Sequence, residues 1–442
     1  MSLSCSGEMN ETKEKQDKLF SKKNLEEEIL KSNSSKSKEF SKKRKRENEA
    51  DDTSYLETKR SQIRKHSPDP KSSKSEKYDI EKNVNINNTS SDLRINNSEK
   101  IKESSSKKIH SDNTLLVVEH YNSVENKCAA LRDKSRILYM RNFNNWIKSM
   151  LIFEYINKTH GRNLKVLDMC CGKGGDLFKW RKMNATHLIC TDLAEVTMQH
   201  CQDRYKEMLK RNSEEKRCSP IFTAEFITAD CTKDHLRKKF KDPSISLDLV
   251  SCQFAFHYCF ESLEQAECMI KNASECLKPG GHFIGTIPDA YDLVSRWQKC
   301  DGDSFGNDIY NVKFFCDKTK PPLFGAKYHF QLEGVVNCPE FLVYLPVFRK
   351  LALKFGLNLV LFERFDSFYE RMKNEGRALL TKIQALETYP PRNDVSLVGK
   401  PEDYQHIKEY NMKGSSIGTL SQSEWEVTSL YAVFVFQKMK TM

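Results

Sequence analysis

The stretch LKVLDMCCGKGGDLFKW, residues 164–180, decides the fold. Its first part, LKVLDM (164–169), is a short apolar run carrying Asp168 and reads as a strand buried on both faces. It runs straight into CCGKGGDLFKW, a glycine-rich turn that opens a helix. Outward from this unit the same alternation repeats. HLICTD (187–192) is a second apolar run ending in an acid, and AEVTMQHCQDRYKEMLKRN after it is helical. IFTAEFITAD (221–230) is a third strand, again ending in an acid, and LDLVSCQF (247–254) is a fourth. SLEQAECMIKNASECL is helical, and KPGGHFIGTIP is a turn followed by a fifth strand. LNLVLFERF (357–365) and SLYAVFVFQK (429–438) close the count at seven. Upstream, RILYMRNFNNWIKSMLIFEYINKT spaces Leu138, Phe143, Trp146, Met150, Leu151 and Tyr155 as an amphipathic helix. Trp146 and Trp180 read as core. Strands alternating with helices predict an α/β, Rossmann-like fold: a seven-stranded, mostly parallel sheet flanked by helices.

Ligands of such sheets bind beyond the carboxyl ends of the strands, where the strand order reverses. The glycine turn and the three strand-end acids all fall there. Gly172, Gly174 and Gly175 permit close approach of a ligand to the backbone. Asp192 follows Gly172 by 20 residues, where an acid accepts from both ribose hydroxyls. GKGG is not the GxGxxG of a dinucleotide fingerprint. Asp168 before the glycines, Asp192 after strand two and Asp230 after strand three fit S-adenosylmethionine better than NAD, with Asp230 at the adenine amino group. Any one of these acids alone reads equally well as a turn or helix cap.

The 442 residues carry a formal net charge of +11. Residues 1–110 hold 26 Lys/Arg, 20 Asp/Glu and only four of the 45 aromatics, Phe20, Phe40, Tyr55 and Tyr78. Such a segment cannot bury enough apolar surface to offset its chain entropy, so 1–115 is expected to be a disordered basic tail and 116–442 the folded domain. The body's charge is nearly balanced and says little about RNA. In the tail, Lys42, Lys43, Arg44, Lys45 and Arg46 are consecutive, the pattern of a nuclear localisation signal read by an import receptor; the plain alternative is a solvated charge run. A looser basic group, Lys59, Arg60, Arg64 and Lys65, precedes Ser67–Pro68, a weak phosphorylation signal. No apolar run reaches the ~18–20 residues of a membrane span, and the first residues lack a signal-peptide stretch. The fifteen cysteines include no CxxC, and Cys170–Cys171 has no partners at a zinc spacing. Reduced thiols, with no metal site, are therefore expected in a nuclear or cytosolic protein.

Several segments resemble one family, the eukaryotic mRNA cap guanine-N7 methyltransferases, over roughly 118–438. They are RNFNNWIKS (141–149), LDMCCGKGGDLFKW (167–180), AEFITAD (224–230), SCQFAFHYCFES (251–262), PGGHFIGTIPD (279–289), SFGNDIY (304–310), PLFGAKYHFQLEGVVNCPEFLVYLP (322–346) and GTLSQSEWEVTSLYAVFVF (418–436). The resemblance implies a class I S-adenosylmethionine-dependent methyltransferase. It implies that Lys148, Cys170, Asp192, Asp230, Gln253 and Tyr258 bind the cofactor, and that Asn144, Asn145, Lys173, Lys179, Arg204, His257, Glu340 and Tyr431 surround the cap. It implies 5′-capped RNA as substrate and a nuclear location. It also implies that the insertion 371–414, helical at first with Leu379, Ile383 and Leu386 on one stripe, can receive a small activating subunit. One position departs from the family pattern: Cys170 stands where the turn usually has its first glycine, so a Cβ and sulfur crowd the ligand or the backbone there.

This reading explains an absence. Guanine N7 carries a free lone pair, so methyl transfer from a sulfonium needs alignment and exclusion of water rather than a general base. No Ser/His/Asp or Cys/His constellation is present to supply one. Strand four ends in CQFAFHY, not in the [ND]PP[YF] turn common in adenine amino-methyltransferases. Lys173 and Lys179 flank the start of a helix, where backbone amides also favour phosphate. Glu340 is suited to accept from guanine N1–H and the amino group, although Pro339–Glu340 also looks like a helix start. His257 and Tyr431 alone would read as core. Two other classes stay open: a catalytically weak cap- or RNA-binding scaffold, and a small-molecule methyltransferase.

Overall fold

The computed structural model describes residues 113–123, 135–158, 163–214, 220–391, 395–408 and 415–440. The basic run Lys42–Arg46, Ser67–Pro68 and the rest of 1–112 lie outside these described residues.

The seven expected strands form one sheet. They are β1 (Leu164–Met169), β2 (Ala185–Asp192), β3 (Thr223–Thr228), β4 (Leu247–Gln253), β5 (Leu277–Pro288), β10 (Leu357–Arg364) and β13 (Tyr431–Lys438). Their order is β10-β13-β5-β4-β1-β2-β3. β1 lies parallel to both β2 and β4, and the β2–β3 and β4–β5 pairs are also parallel. Only β13 runs antiparallel to its neighbours β5 and β10. The order reverses at β1, which puts the crevice at its carboxyl end.

Both faces of the sheet are covered, which is why its central strands are apolar for most of their length. Consecutive residues point to opposite sides. Val166, Leu188, Leu249, Ile284 and Val433 join one core cluster with Phe143, Trp146 and Ile147 of the helix Leu138–Asn157. Their neighbours Leu167, Ile189, Val250, Phe283 and Phe434 join the other, with Met269 and Phe348. Each such side chain, fully withdrawn from water, contributes about 1.5–3 kcal/mol.

A second, four-stranded sheet adds to the expected one. β6 (Ser304–Gly306), β7 (Tyr310–Phe314), β8 (Lys327–Leu332) and β9 (Val336–Phe341) form an antiparallel meander. In β7, buried Tyr310, Val312 and Phe314 alternate with exposed Asn311 and Lys313, the period-2 signature of a strand. Glu340 sits inside β9, opposite Tyr328, and so is not at a helix start. The helix begins at Leu345, with its proline at Pro346.

The insertion packs on the helix Leu138–Asn157. The helix Phe365–Met372 leads into it; within it the short helix Arg377–Lys382 is followed by β11 (Glu387–Tyr389), which pairs with β12 (Ile417–Thr419) just beyond the insertion. The Trp146 indole donates to the Gly376 carbonyl at 3.0 Å, and a Cβ at Gly376 would meet the ring at 2.5 Å. Leu379, Ile383 and Leu386 pack against the core, but the helix stops at Lys382 and Gln384 is left-handed, so Leu386 lies beyond the expected helical stripe. Residues 392–394 and 409–414 of this lobe are outside the described residues.

Candidate active site

The glycine turn curls because three of its positions are left-handed: Cys170 at φ 54°, Gly172 at 56° and Gly174 at 71°. Cys170 therefore occupies a backbone conformation that glycine adopts freely and that costs another residue about 1–2 kcal/mol. Its side chain is accommodated half-buried, packed against the core cluster that includes Cys231 and Cys252. The turn is tied to β2 through two backbone donors. The Cys171 amide donates to the Thr191 carbonyl at 3.0 Å, and the Gly172 amide donates to Oδ2 of Asp192 at 2.8 Å. Oδ1 of Asp192 accepts from the Ala194 amide at 3.0 Å. Burial pushes the Asp192 carboxyl above its ordinary pKa, and these backbone bonds work against the rise.

Beyond the strand ends lies a cavity of about 320 Å³. All six residues expected to bind the cofactor line it: Lys148, Cys170, Asp192, Asp230, Gln253 and Tyr258. Asp168 lines it too, from β1, with Oδ2 accepting from the Trp180 indole at 3.0 Å. Burial pushes the Asp168 carboxyl up to about 8, and the nearby Asp176 charge adds to the rise. Asp176 is driven the other way, to about 2. Its own burial would raise it, but Lys148 at 2.9 Å and Lys179 at 2.6 Å outweigh that cost. Of this pair Asp176 carries the charge and Asp168 the proton.

The lining suits a polar nucleoside cofactor. Thr197 Oγ1 and Gln265 Oε1 belong to it, and both are buried without a hydrogen-bond partner. Buried polar atoms are normally satisfied, so these two leave unmet polar demand in the cavity wall. Cβ atoms placed on Gly172 or Gly175 would meet nothing within 4 Å, so the turn stands open beside the cavity.

Besides Thr197 and Gln265, two further contributors to the lining were not expected. The first is the helix over 113–123, which crosses the assumed boundary at 115/116. Asn113, Thr114, Val117, Val118 and Tyr121 line the cavity. The Tyr121 and Tyr258 hydroxyls are 3.1 Å apart, and Asn113 Nδ2 donates to Glu261 at 2.8 Å. The run LLVVEHY (115–121), next to Asn113, was its sequence signal. The second is Phe254, held at φ 59° by two bonds from its amide to Thr286 and lining the same cavity. A bulky left-handed residue has no signature in local sequence.

The residues expected around the cap divide into two groups. His257, Glu340 and Tyr431 are all buried. The His257 Nε2 lies 3.3 Å from Glu340 Oε1, and Tyr328 donates its hydroxyl to Glu340 Oε2 at 2.8 Å. His257 also packs its ring on Tyr258 of the cavity wall, with centroids 4.4 Å apart. Tyr431 begins β13, stacks on Phe365 and meets Phe254 edge-on. Burial, and then the nearby Glu340 charge, push its phenol well above the ordinary value.

The other group is apart from that carboxylate, with Lys173, Lys179 and Asn145 at or beside the glycine turn. Lys179 is buried, ion-paired with Asp176 and bonded to Asn145 Oδ1. Its ammonium is thus held inside the protein rather than in solvent. Asn144 Oδ1 accepts from Thr428 at 2.6 Å. Lys173 and Arg204 are half-buried neighbours, and burial together with the Arg204 charge lowers the Lys173 pKa.

The family model described as "mRNA (guanine-N(7))-methyltransferase domain" matches residues 104–439. Among curated relatives, the mRNA cap guanine-N(7) methyltransferase of Drosophila melanogaster is 50% identical over 337 residues, covering 74% of this chain and 78% of that one. The Caenorhabditis elegans protein of the same name is 40% identical over 343 residues, covering 74% and 87%. That of Schizosaccharomyces pombe is 33% identical over 330 residues, covering 73% and 82%. Among solved structures, the CcbJ methyltransferase of Streptomyces caelestis is 12% identical, covering 67% of this chain and 89% of that one, with a TM-score of 0.37.

Proposed function

Because the chain belongs to the mRNA (guanine-N7)-methyltransferase family, we propose how its residues carry out the family's reaction. The enzyme transfers a methyl group from S-adenosylmethionine to N7 of the terminal guanosine of GpppN-capped RNA. The bound cofactor supplies an electrophilic methyl on a sulfonium. Asp192 and Asp230 hold its ribose and adenine, while Lys148, Cys170, Gln253 and Tyr258 complete the cradle.

The observation that carries this division is the Tyr258–His257–Glu340 contact. Tyr258 belongs to the cofactor cavity, and through His257 it meets a buried carboxylate suited to guanine. Glu340 accepts from N1–H and the amino group, and its negative charge favours the cationic N7-methyl product. His257 and Tyr431 bound the base. Asn144, Asn145, Lys173, Lys179 and Arg204 stand toward the triphosphate, with Lys179 acting as a neutralised, fixed member of the Asp176 network. No group removes a proton from N7. Rate enhancement comes from holding nucleophile and methyl in line in a site closed to water.

GpppG-capped RNA with labelled S-adenosylmethionine tests the assignment. Label at guanine N7 supports it. Cap binding without transfer supports the scaffold reading, and methylation of neither cap nor RNA leaves the small-molecule reading.

The family's role in mRNA capping supports a nuclear location, addressed by Lys42–Arg46 through an import receptor. Replacing the five residues by alanine should leave the protein cytoplasmic, and unchanged nuclear accumulation would sink the idea. The lobe 371–414 is the surface for a small activating subunit. Its attachment to the helix Leu138–Asn157, which carries Asn144, Asn145 and Lys148, supports that reading. Deleting 387–413 should abolish activation while basal transfer persists.

A further inference from the structure

Three cysteines that are far from any metal-ligand spacing in sequence meet beneath the glycine turn. Cys171 comes from the turn itself, Cys190 from β2 and Cys201 from the helix Glu195–Glu214. Their Sγ atoms all lie within 4.8 Å of one another. The Cys171 thiol donates to the Gly172 carbonyl at 3.5 Å. Cys190 and Cys201 are fully buried, whereas Cys171 is half-buried and lines the cavity, which gives the group a way in.

A single buried cysteine is an ordinary small hydrophobe. Three sulfurs converging from three elements also match the geometry of a metal centre. Metal–sulfur bonds of about 2.3 Å in a planar trigonal arrangement place the sulfurs about 4 Å apart. The group holds no histidine or carboxylate as a fourth ligand among the described residues. Soft thiolates suit Cu(I) and zinc, and zinc takes four ligands in closed structural sites, so three sulfurs without a fourth ligand favour Cu(I). We propose that Cys171, Cys190 and Cys201 form a trigonal site for a thiophilic monovalent cation of the Cu(I) class. Loading breaks three S–H bonds, forms three metal–sulfur bonds and releases three protons to solvent, with no change in oxidation state. Arg204 lies close enough to Cys201 to offset part of the residual negative charge.

The site is mechanically joined to the cavity. Gly174 rests on Cys201, for a Cβ there would meet its Sγ at 2.7 Å. Cys171 is followed by Gly172, whose amide holds Asp192. Drawing three sulfurs onto one ion therefore moves the turn that forms the cavity wall, and a loaded protein binds S-adenosylmethionine more weakly. This consequence rests on the cofactor assignment above; the site itself does not.

The experiment is anaerobic titration of the reduced full-length chain with Cu(I), competed against a chromophoric Cu(I) chelator. Cys190→Ser and Cys201→Ser are titrated beside it, each first shown by circular dichroism to be folded. The unmodified chain should take up one equivalent more than either variant, and X-ray absorption should find three sulfurs at about 2.3 Å. Equal uptake by all three proteins overturns the site. Calorimetry should find that S-adenosylmethionine binds about fivefold more weakly to the loaded chain than to the metal-free chain. Equal affinities overturn the mechanical link. Absence of cofactor binding by the metal-free chain would instead count against the cofactor assignment.

Discussion

Tyr328 and Glu340 face each other across the β8–β9 ladder, and the phenol donates to the carboxylate at 2.8 Å. A buried carboxylate with one oxygen anchored and the other beside His257 is fixed in rotation. That fixes the direction in which it can accept from guanine. Glu340→Ala should abolish transfer to capped RNA while leaving the S-adenosylmethionine Kd unchanged by calorimetry. Tyr328→Phe keeps the ring and loses one bond to a charged group, so kcat/KM for cap should fall about tenfold. Unaltered cap kinetics in both variants would remove Glu340 from the site.

The Tyr121–Tyr258 pair joins the helix over 113–123 to the cavity wall. Tyr121→Phe leaves the Tyr258 hydroxyl buried without this partner, a loss of about 1 kcal/mol. Cofactor affinity should therefore drop about fivefold, and truncation before residue 124 should cost more. A truncated chain that binds S-adenosylmethionine as the full chain does would show that this helix is not part of the binding wall.

These two sites were unequally legible in sequence. The parallel sheet was readable because strands covered on both faces become mostly apolar runs, as in β1 and β4 with their few polar residues. The acids at their ends announce a ligand for the same reason: a carboxylate at the edge of such a run needs a partner. The meander β6–β9 was hidden because half its residues face water, so Tyr310, Val312 and Phe314 stand out only once the register is known. Its turn cue, Gly334 between β8 and β9, was present but short-range. The trio Cys171, Cys190 and Cys201 was invisible for a different reason, since its members meet only through the βαβ crossover. The burial of Lys179 against Asp176 was not legible either, because a lysine at a helix start marks only a cation suited to phosphate.

Cys170 carries a left-handed backbone where glycine would be unstrained. Cys170→Gly should relieve about 1 kcal/mol of that strain, offset in part by the lost thiol packing and by a more flexible unfolded chain. The cavity wall would also lose a sulfur. Tighter S-adenosylmethionine binding is the expected outcome by calorimetry, with the largest gain in the association at the turn. Equal affinities would mean that packing against the core cluster already compensates for the cysteine.

Asp168 gives the cavity a pH dependence. Burial and the Asp176 charge hold its carboxyl protonated, with a pKa of about 8, in the free protein. A cofactor whose methionine part is cationic at both sulfonium and ammonium favours the ionised form. Binding therefore lowers this pKa and releases a proton. By linkage, affinity rises with pH wherever the bound state holds fewer protons, so it should climb toward pH about 8 and level off above it. Asp168→Asn keeps an acceptor for the Trp180 indole but cannot ionise. Its affinity should be flat across the same range. Calorimetry in buffers of different ionisation enthalpy reads the proton directly: release by the unmodified chain and none by the variant. Proton uptake on binding, or an affinity that falls as pH rises from 6 to 8, would reverse the assignment of proton and charge between Asp168 and Asp176.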